Sequence, residues 1–275
     1  MKIDSHQHFW KYQPVRDAWI TNEMKIIQKD FMPAHLQTTL KNNGFGGSIA
    51  VQADQSEEET LFLLDLAKKN NFIKGVVGWI DLQNKNIESR LDHFALFKKL
   101  KGFRHIVQAE ADDDFLQRKD FCKGVSLLRK YGFTYDILIK PPQLKASVQF
   151  VQRFPDQLFV IDHLAKPFIK DQLLQDWKKQ IQEIARFENV HCKLSGLVTE
   201  AHWQNWKIGD FKPYLDVAID NFGIDRVMFG SDWPVCLVAA TYEQVCEIVE
   251  KNTTGLSSGE KQLLWELNAK RFYHL

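Results

Sequence analysis

The chain has 275 residues, 44% of them hydrophobic and 26% charged, enough to bury a large core as one α/β barrel or as two smaller domains. Lys and Arg total 36 against 35 for Asp and Glu, and no basic block stands out, so the charge pattern argues against nucleic acid as a partner. The four cysteines form no Cys-x-x-Cys pair and read as reduced thiols, no apolar run approaches a membrane span, and Met1 leads into a strand without a charged leader, which makes the cytoplasm the expected location.

The first element, Lys2 to Ser5, delivers His6 and His8. Alternate side chains of a strand share one face, so both imidazoles can enter one site. Neutral imidazole ligates metals and donates protons to anionic oxygens, so the pair suggests a metal or an oxyanion site; a plainer reading leaves both rings in solvent at a strand end. The Gly44-Phe45-Gly46-Gly47 cluster precedes a strand rather than opening a helix, and reads as a helix stop and turn instead of a phosphate fingerprint. Further β-type runs follow at Gly47 to Ala53, Gly75 to Ile80, Gly102 to Gln108, Thr134 to Lys140, Leu158 to Asp162, Val190 to Ser195 and Arg226 to Gly230. Between them lie helical stretches such as Glu57 to Asn70, where Leu61, Leu64 and Ala67 recur near the helical period, and Phe115 to Tyr131, stopped by Gly132. Eight β-type runs alternating with helices predict an α/β fold, a single TIM-like (β/α)8 barrel over residues 1–275, with no linker or repeat dividing it.

Catalytic groups in such barrels sit where strands end and βα loops begin. Asp232, in Met-Phe-Gly-Ser-Asp-Trp-Pro, brings a carboxylate there that can deprotonate water or bind a metal. His163, in Val-Ile-Asp-His, follows strand six and either completes a ligand set, donates to an oxyanion, or serves as a structural hydrogen-bonding group. Barrel closure brings strand eight beside strand one, so His6, His8, His163 and Asp232 converge. Arg104 on strand four either binds substrate or forms an ion pair with an interior carboxylate. His105 then faces the other way and packs, and Glu110 is a second candidate acid ahead of the Asp112-Asp113-Asp114 loop. Lys140, Lys193 and Ser195 also fall on strands five and seven or at their ends. Of the loop aromatics Trp10, Trp19, Trp79 and Trp233, Trp10 and Trp233 are taken as substrate-binding candidates, and Cys236 as a packed apolar residue.

The segments Ile-Asp-Ser-His-Gln-His-Phe-Trp, Lys-Gly-Phe-Arg-His-Ile-Val-Gln, Val-Ile-Asp-His-Leu-Ala-Lys-Pro, Cys-Lys-Leu-Ser-Gly-Leu and Phe-Gly-Ser-Asp-Trp-Pro-Val-Cys, in this order and spacing, resemble the amidohydrolase superfamily, in particular the branch that includes sugar lactonases. The resemblance implies a distorted (β/α)8 barrel and hydrolysis of a sugar-acid lactone of the L-fuconolactone or L-rhamnonolactone kind. It implies that His6, His8 and His163 bind a metal or polarise the carbonyl, that Asp232 activates water, and that Arg104 orients substrate. A single site for a divalent metal such as zinc, formed by His6, His8, His163 and Asp232, is one implication; another divalent ion, or a metal-free mechanism, is equally open. A two-metal centre bridged by a carboxylated lysine is disfavoured, since the sequence secures no such lysine and Lys140 is the only obvious strand-five candidate. The resemblance is also compatible with a metal-dependent decarboxylase, a silent sugar-binding barrel stands as a third alternative, and a homo-oligomer is compatible with each.

Overall fold

A computed structural model describes residues 1–275. Eight parallel strands follow in order, β1 (Lys2–Gln7), β2 (Phe45–Val51), β3 (Ile73–Gly78), β4 (Leu100–His105), β5 (Thr134–Ile137), β6 (Phe159–Ile161), β7 (Val190–Leu194) and β8 (Val227–Phe229), each hydrogen-bonded to the next. Helices cover the outside: α1 (Pro33–Asn42), α2 (Glu57–Lys69), α3 (Ile87–Phe94), α4 (Lys119–Leu128), α5 (Leu144–Gln152), α6 (Gln175–Ile184), α7 (Lys212–Phe222) and α8 (Tyr242–Asn252), followed by α9 (Ser258–Gln262) and α10 (Asn268–Phe272). No helix is long and apolar enough to cross a membrane.

All eight expected runs are strands, with shifted ends. Parallel strands buried on both faces carry no clean alternation, so their limits are set by ladder partners. Thus β3 begins at Ile73, which pairs with Ser48, rather than at Gly75. The helix expected over Phe115 to Tyr131 is broken. Phe115–Gln117 forms a separate short turn, Arg118 is extended, and α4 starts at Lys119. Tertiary anchors divide it: Phe115 stacks on His105 at 4.7 Å and Gln117 donates to the Ala146 carbonyl at 2.6 Å. Gly132 does end the segment, in the left-handed region at φ 73°.

The seam between β8 and β1 explains the distortion. Those strands share no regular ladder; pairing is shifted into the loop, where Gln7 bridges Trp233, Asp232 N donates to His6 O at 2.8 Å and His8 N to Trp233 O at 2.7 Å. Asp4 clamps the same seam, accepting from Ser231 N at 2.9 Å, Ser231 Oγ at 2.6 Å and Tyr242 Oη at 3.1 Å. The bottom of the barrel is apolar, with Ile3, Ile49, Val51, Val77, Val160 and Met228 closed off by Ala269, Phe272 and Tyr273 of the C-terminal segment. Above that plug the interior carries charge: Arg104, Asp136, Asp162 and Lys193 are all buried.

Candidate active site

β1 presents His6 and His8 on one face, as their spacing requires, and their Nε2 atoms lie 3.1 Å apart. Asp232 Oδ1 stands 3.3 Å from His8 Nε2 and 3.8 Å from the Nε2 atoms of both His6 and His163. The four residues expected to converge therefore do so, through the seam just described. His163 and Asp232 have φ of 55° and 57°, a backbone region costly for side-chain-bearing residues. Both sit on loops that the surrounding hydrogen bonds hold in place. His8 Nδ1 meets Val51 O at 2.7 Å, and His163 Nδ1 meets Ser195 Oγ at 2.8 Å, so each ring is oriented through the nitrogen that faces away from the cluster.

Two glycines make room for these rings. A Cβ on Gly196 would fall 2.5 Å from His163 Nδ1, and one on Gly230 would fall 2.7 Å from His6 Cβ. Neither position tolerates a side chain while the imidazoles keep their places.

Electrostatics follow from burial. Burial would push the Asp232 carboxyl up, but the imidazoles of His163, His8 and His6 outweigh it and hold the acid well below the usual carboxylate range. Burial lowers His163 to about 4 and pushes His6 well below its ordinary value, so both rings are neutral at pH 7. Burial opposes ionisation of Asp162 as well, and Lys193, His6 and Arg104 overcome that to keep it an anion. The cluster thus offers imidazole nitrogens and a carboxylate, with His6, His8 and Asp232 placing ligand atoms close enough together for a divalent transition-metal site and His163 beside them. Asp162 Oδ1, buried, stands 3.3 Å from His6 Nδ1 and 2.9 Å from Lys193 Nζ, and is positioned to accept from His6 when Nε2 presents its lone pair to a cation.

Arg104 realises the ion-pair alternative. Its NH1 reaches Asp162 Oδ2 at 2.9 Å and His6 Nε2 at 3.3 Å, Nε reaches Gln52 Oε1 at 3.2 Å, and NH2 bonds both Gln52 Oε1 and the Gln52 carbonyl. Every N–H of the guanidinium has a protein acceptor within reach, although its edge still lines the cavity. His105 packs as expected, against Phe115, and binds Glu110 at 2.7 Å, which removes Glu110 from the reacting site. Lys140 is exposed, so the buried lysine of the barrel is Lys193. Cys236 is fully buried and burial pushes its thiol well up, which keeps it an inert packing residue.

A cavity of about 480 Å³ opens over this cluster, reaching His8, His163, Asp232 and Arg104. Trp10 and Trp233 do not line it. Trp10 is 1% exposed with its indole N–H bonded to Lys29 O, and Trp233 packs edge-on against Phe31 at 5.2 Å. The aromatic walls are Trp19 and Trp203, beside Arg16, Asp54, Gln55, Gln108, Lys166 and Glu200. Trp203 carries no signal in the sequence, because the loop after β7 reaches the mouth only once the barrel has closed. Asp162, Asp136, Gln52 and Tyr273 are likewise visible only in three dimensions, whereas Lys193 and Ser195 stand out on their strand as polar residues in an apolar run.

Three relatives place this geometry. The chain is 40% identical to an L-fucono-1,5-lactonase of Burkholderia multivorans over 100% of its own length and 96% of that protein's. It is 35% identical to an L-fucono-1,5-lactonase of Burkholderia ambifaria, over 88% of this chain and 83% of that one. A crystal structure of an amidohydrolase from Burkholderia multivorans with bound zinc superposes with a TM-score of 0.97 at 40% identity, covering 100% of this chain and 99% of the other. The amidohydrolase family model matches residues 3–275, and with the eight-stranded barrel and its histidine–aspartate mouth the chain belongs to the amidohydrolase family.

Proposed function

We propose that this chain hydrolyses a sugar-acid lactone to the open hydroxy acid, with L-fucono-1,5-lactone as the first substrate to test. The observation that carries the reading is the Asp232 carboxylate, ionised and buried at the base of an open cavity, with three imidazoles within 3.8 Å of one of its oxygens. Full-length identity of 40% to an L-fucono-1,5-lactonase supports the substrate class. So does the mixture on the cavity walls, where flat indoles suit the C–H faces of a sugar ring and the charged and amide groups suit its hydroxyls.

Hydrolysis requires a water to lose a proton as it adds to the lactone carbonyl, and the ring oxygen to gain one as it leaves. Of the cavity's carboxylates Asp232 is the one set among the imidazoles, while Glu200 is already paired with Lys166, and Asp232 accepts the first proton. Its protonated form then lies beside the ring oxygen and returns that proton. Charge that builds on the carbonyl oxygen is met by the imidazole groups and by the positive field of Arg104, which the Gln52 and Asp162 contacts hold rigid. His6, His8, His163 and Asp232 are the residues that would hold a zinc ion, as suits a family relative with bound zinc; such an ion would lower the pKa of water and polarise a carbonyl. The reading places the enzyme in the cytoplasm, where its four free cysteines stay reduced.

Asp232→Asn keeps the size of the side chain and removes the base. Acid release from L-fucono-1,5-lactone, followed with a pH indicator, is expected to fall by about 10³-fold with the thermal midpoint within a few degrees of wild type. Turnover near the wild-type rate would reject Asp232 as the base. Absence of turnover by the wild-type protein on fucono- and rhamnonolactones, with and without added zinc, would reject the substrate class.

A further inference from the structure

Three lysine or arginine side chains line the cavity, Arg16, Arg104 and Lys166. Each is already bound to a carboxylate: Arg16 Nε lies 2.8 Å from Asp17 Oδ1, Arg104 NH1 2.9 Å from Asp162 Oδ2, and Lys166 Nζ 3.1 Å from Glu200 Oε1. Asp17 and Asp162 stand behind the wall, whereas Glu200 lines the cavity beside its lysine. A ligand that reaches Lys166 therefore meets both charges of that pair at once.

The backbone holds the pair in place. From His163 to Lys166 four successive residues have φ between 52° and 57°, a left-handed turn in which Lys166 N donates to His163 O at 2.7 Å. Such a turn is costly for residues with side chains, and Trp177 Nε1 pins it by donating to Leu164 O at 2.8 Å. It brings Lys166 to the cavity three positions after His163. Glu200 ends the short turn Val198–Glu200 in the loop after β7, and Lys170 N donates to Glu200 O at 2.9 Å, so main chain ties the two loops together. The side chains of Lys166 and Glu200 are 19% and 23% exposed, open enough for a ligand to touch and too buried for salt to screen fully.

Opening a lactone changes the charge of the ligand. The lactone is neutral, and its product carries a carboxylate formed beside Asp232, itself an anion. An unpaired ammonium at Lys166 would hold a carboxylate, because hydrogen bonds between ionised groups are the strong ones. Glu200 sets a like charge at the same nitrogen and cancels most of that attraction. A hydroxyl loses nothing by the pairing, since it can donate to the carboxylate or accept from the ammonium. Elsewhere on the wall Gln55 and Gln108 offer neutral amides, and Gln108 Oε1 has no hydrogen-bond partner in the protein.

We propose that Glu200 is a specificity-determining residue that masks Lys166, so that the cavity takes a neutral, hydroxyl-bearing ligand and does not hold the corresponding anion. Naming that anion as the sugar-acid product rests on the lactonase reading given above; the masking itself does not.

The test is titration calorimetry on the full chain, in one buffer and one metal state, with L-fuconate and succinate as anionic probes. Wild type is expected to bind both weakly. Glu200→Gln keeps the size of the side chain and removes its charge, and is expected to bind both probes about tenfold more tightly or better, with the gain shrinking as salt is raised. Glu200→Ala is an independent variant with the same expected gain, so a folding defect particular to one substitution does not decide the outcome. Adding Lys166→Met to Glu200→Gln is expected to abolish the gain, which a merely structural role for Glu200 would not produce. Equal affinities in wild type and the folded Glu200 variants would overturn the proposal, as would a gain that survives the loss of Lys166. A gain for succinate alone would keep the masking and remove the sugar acid as its target. Binding is read without turnover, so a Lys166-dependent gain in a protein that opens no lactone would reject the lactonase reading alone, and lactone hydrolysis without any gain would reject the masking alone.

Discussion

Gly230 tests whether His6 is placed by the barrel seam. The residue follows β8 and its backbone N–H bonds Leu194 O at 3.3 Å. In Gly230→Ala the new methyl would lie 2.7 Å from His6 Cβ, 3.1 Å from Ser195 Cβ and 3.3 Å from His6 N. These are atoms on or next to the backbone of β1 and of the turn after β7, so no flexible side-chain tip can swing aside. Relief requires β1 and the β8 loop to separate by something under about 1 Å, which moves His6 away from His8 and Asp232. Overpacking of this kind costs about 1–3 kcal/mol of stability, and displacement of a reacting group by about 1 Å costs about 10²-fold in rate, equivalent to about 2.7 kcal/mol in the barrier. The assay is steady-state lactone hydrolysis alongside urea unfolding. The expected outcome is a folded protein with kcat reduced by 10- to 100-fold, on the order of the cost of such a displacement, and KM changed less, since Trp19, Trp203, Gln55 and Gln108 of the cavity wall lie outside the seam. Wild-type kcat in a folded Gly230→Ala protein would refute the argument that this seam sets the histidine geometry.

Two further expectations concern stability. Arg104→Ala leaves Asp162 buried with Lys193 as its remaining cation and Gln52 without its partner, so urea unfolding should show a loss of about 3–5 kcal/mol; a loss under about 1 kcal/mol with a large rise in KM would instead restore Arg104 as a direct substrate ligand. His191, on the inward face of β7 at the plugged end of the barrel, with Nδ1 unpartnered and its ring 4.9 Å from Phe272, is lowered by burial to about 4. The unfolded chain therefore takes up the proton first as pH falls: the stabilisation is complete above about pH 6.5 and is lost on descending toward pH 4, up to about 3 kcal/mol. Urea unfolding at pH 7.5 and 5.0 should show a smaller pH slope in His191→Phe than in wild type, and equal slopes would refute the assignment.

What the sequence determined by itself is what depends on neighbours along the chain. The period-two spacing of His6 and His8 places both on one face of any strand, and eight apolar runs separated by helical stretches of adequate length have one economical closed arrangement. Asp232 and His163 were legible because each is a polar residue ending an apolar run, the place where barrel strands deliver chemistry. Strand limits and the break at Arg118 were not, because ladder pairing and the anchoring of Phe115 and Gln117 come from other parts of the chain.

Only the tertiary structure decided which charges share the interior. Lys193 meets Asp136, 57 residues earlier, and His6, 187 residues earlier, while Tyr273 reaches Asp136 across 137 residues. No local spacing encodes those meetings. They follow from the stagger of eight strands around a closed barrel, which decides the height at which each inward side chain stands, and hence that Arg104 is consumed by Gln52 and Asp162, that Trp19 and Trp203 rather than Trp10 and Trp233 face the cavity, and that His6 lies between an ammonium and a carboxylate.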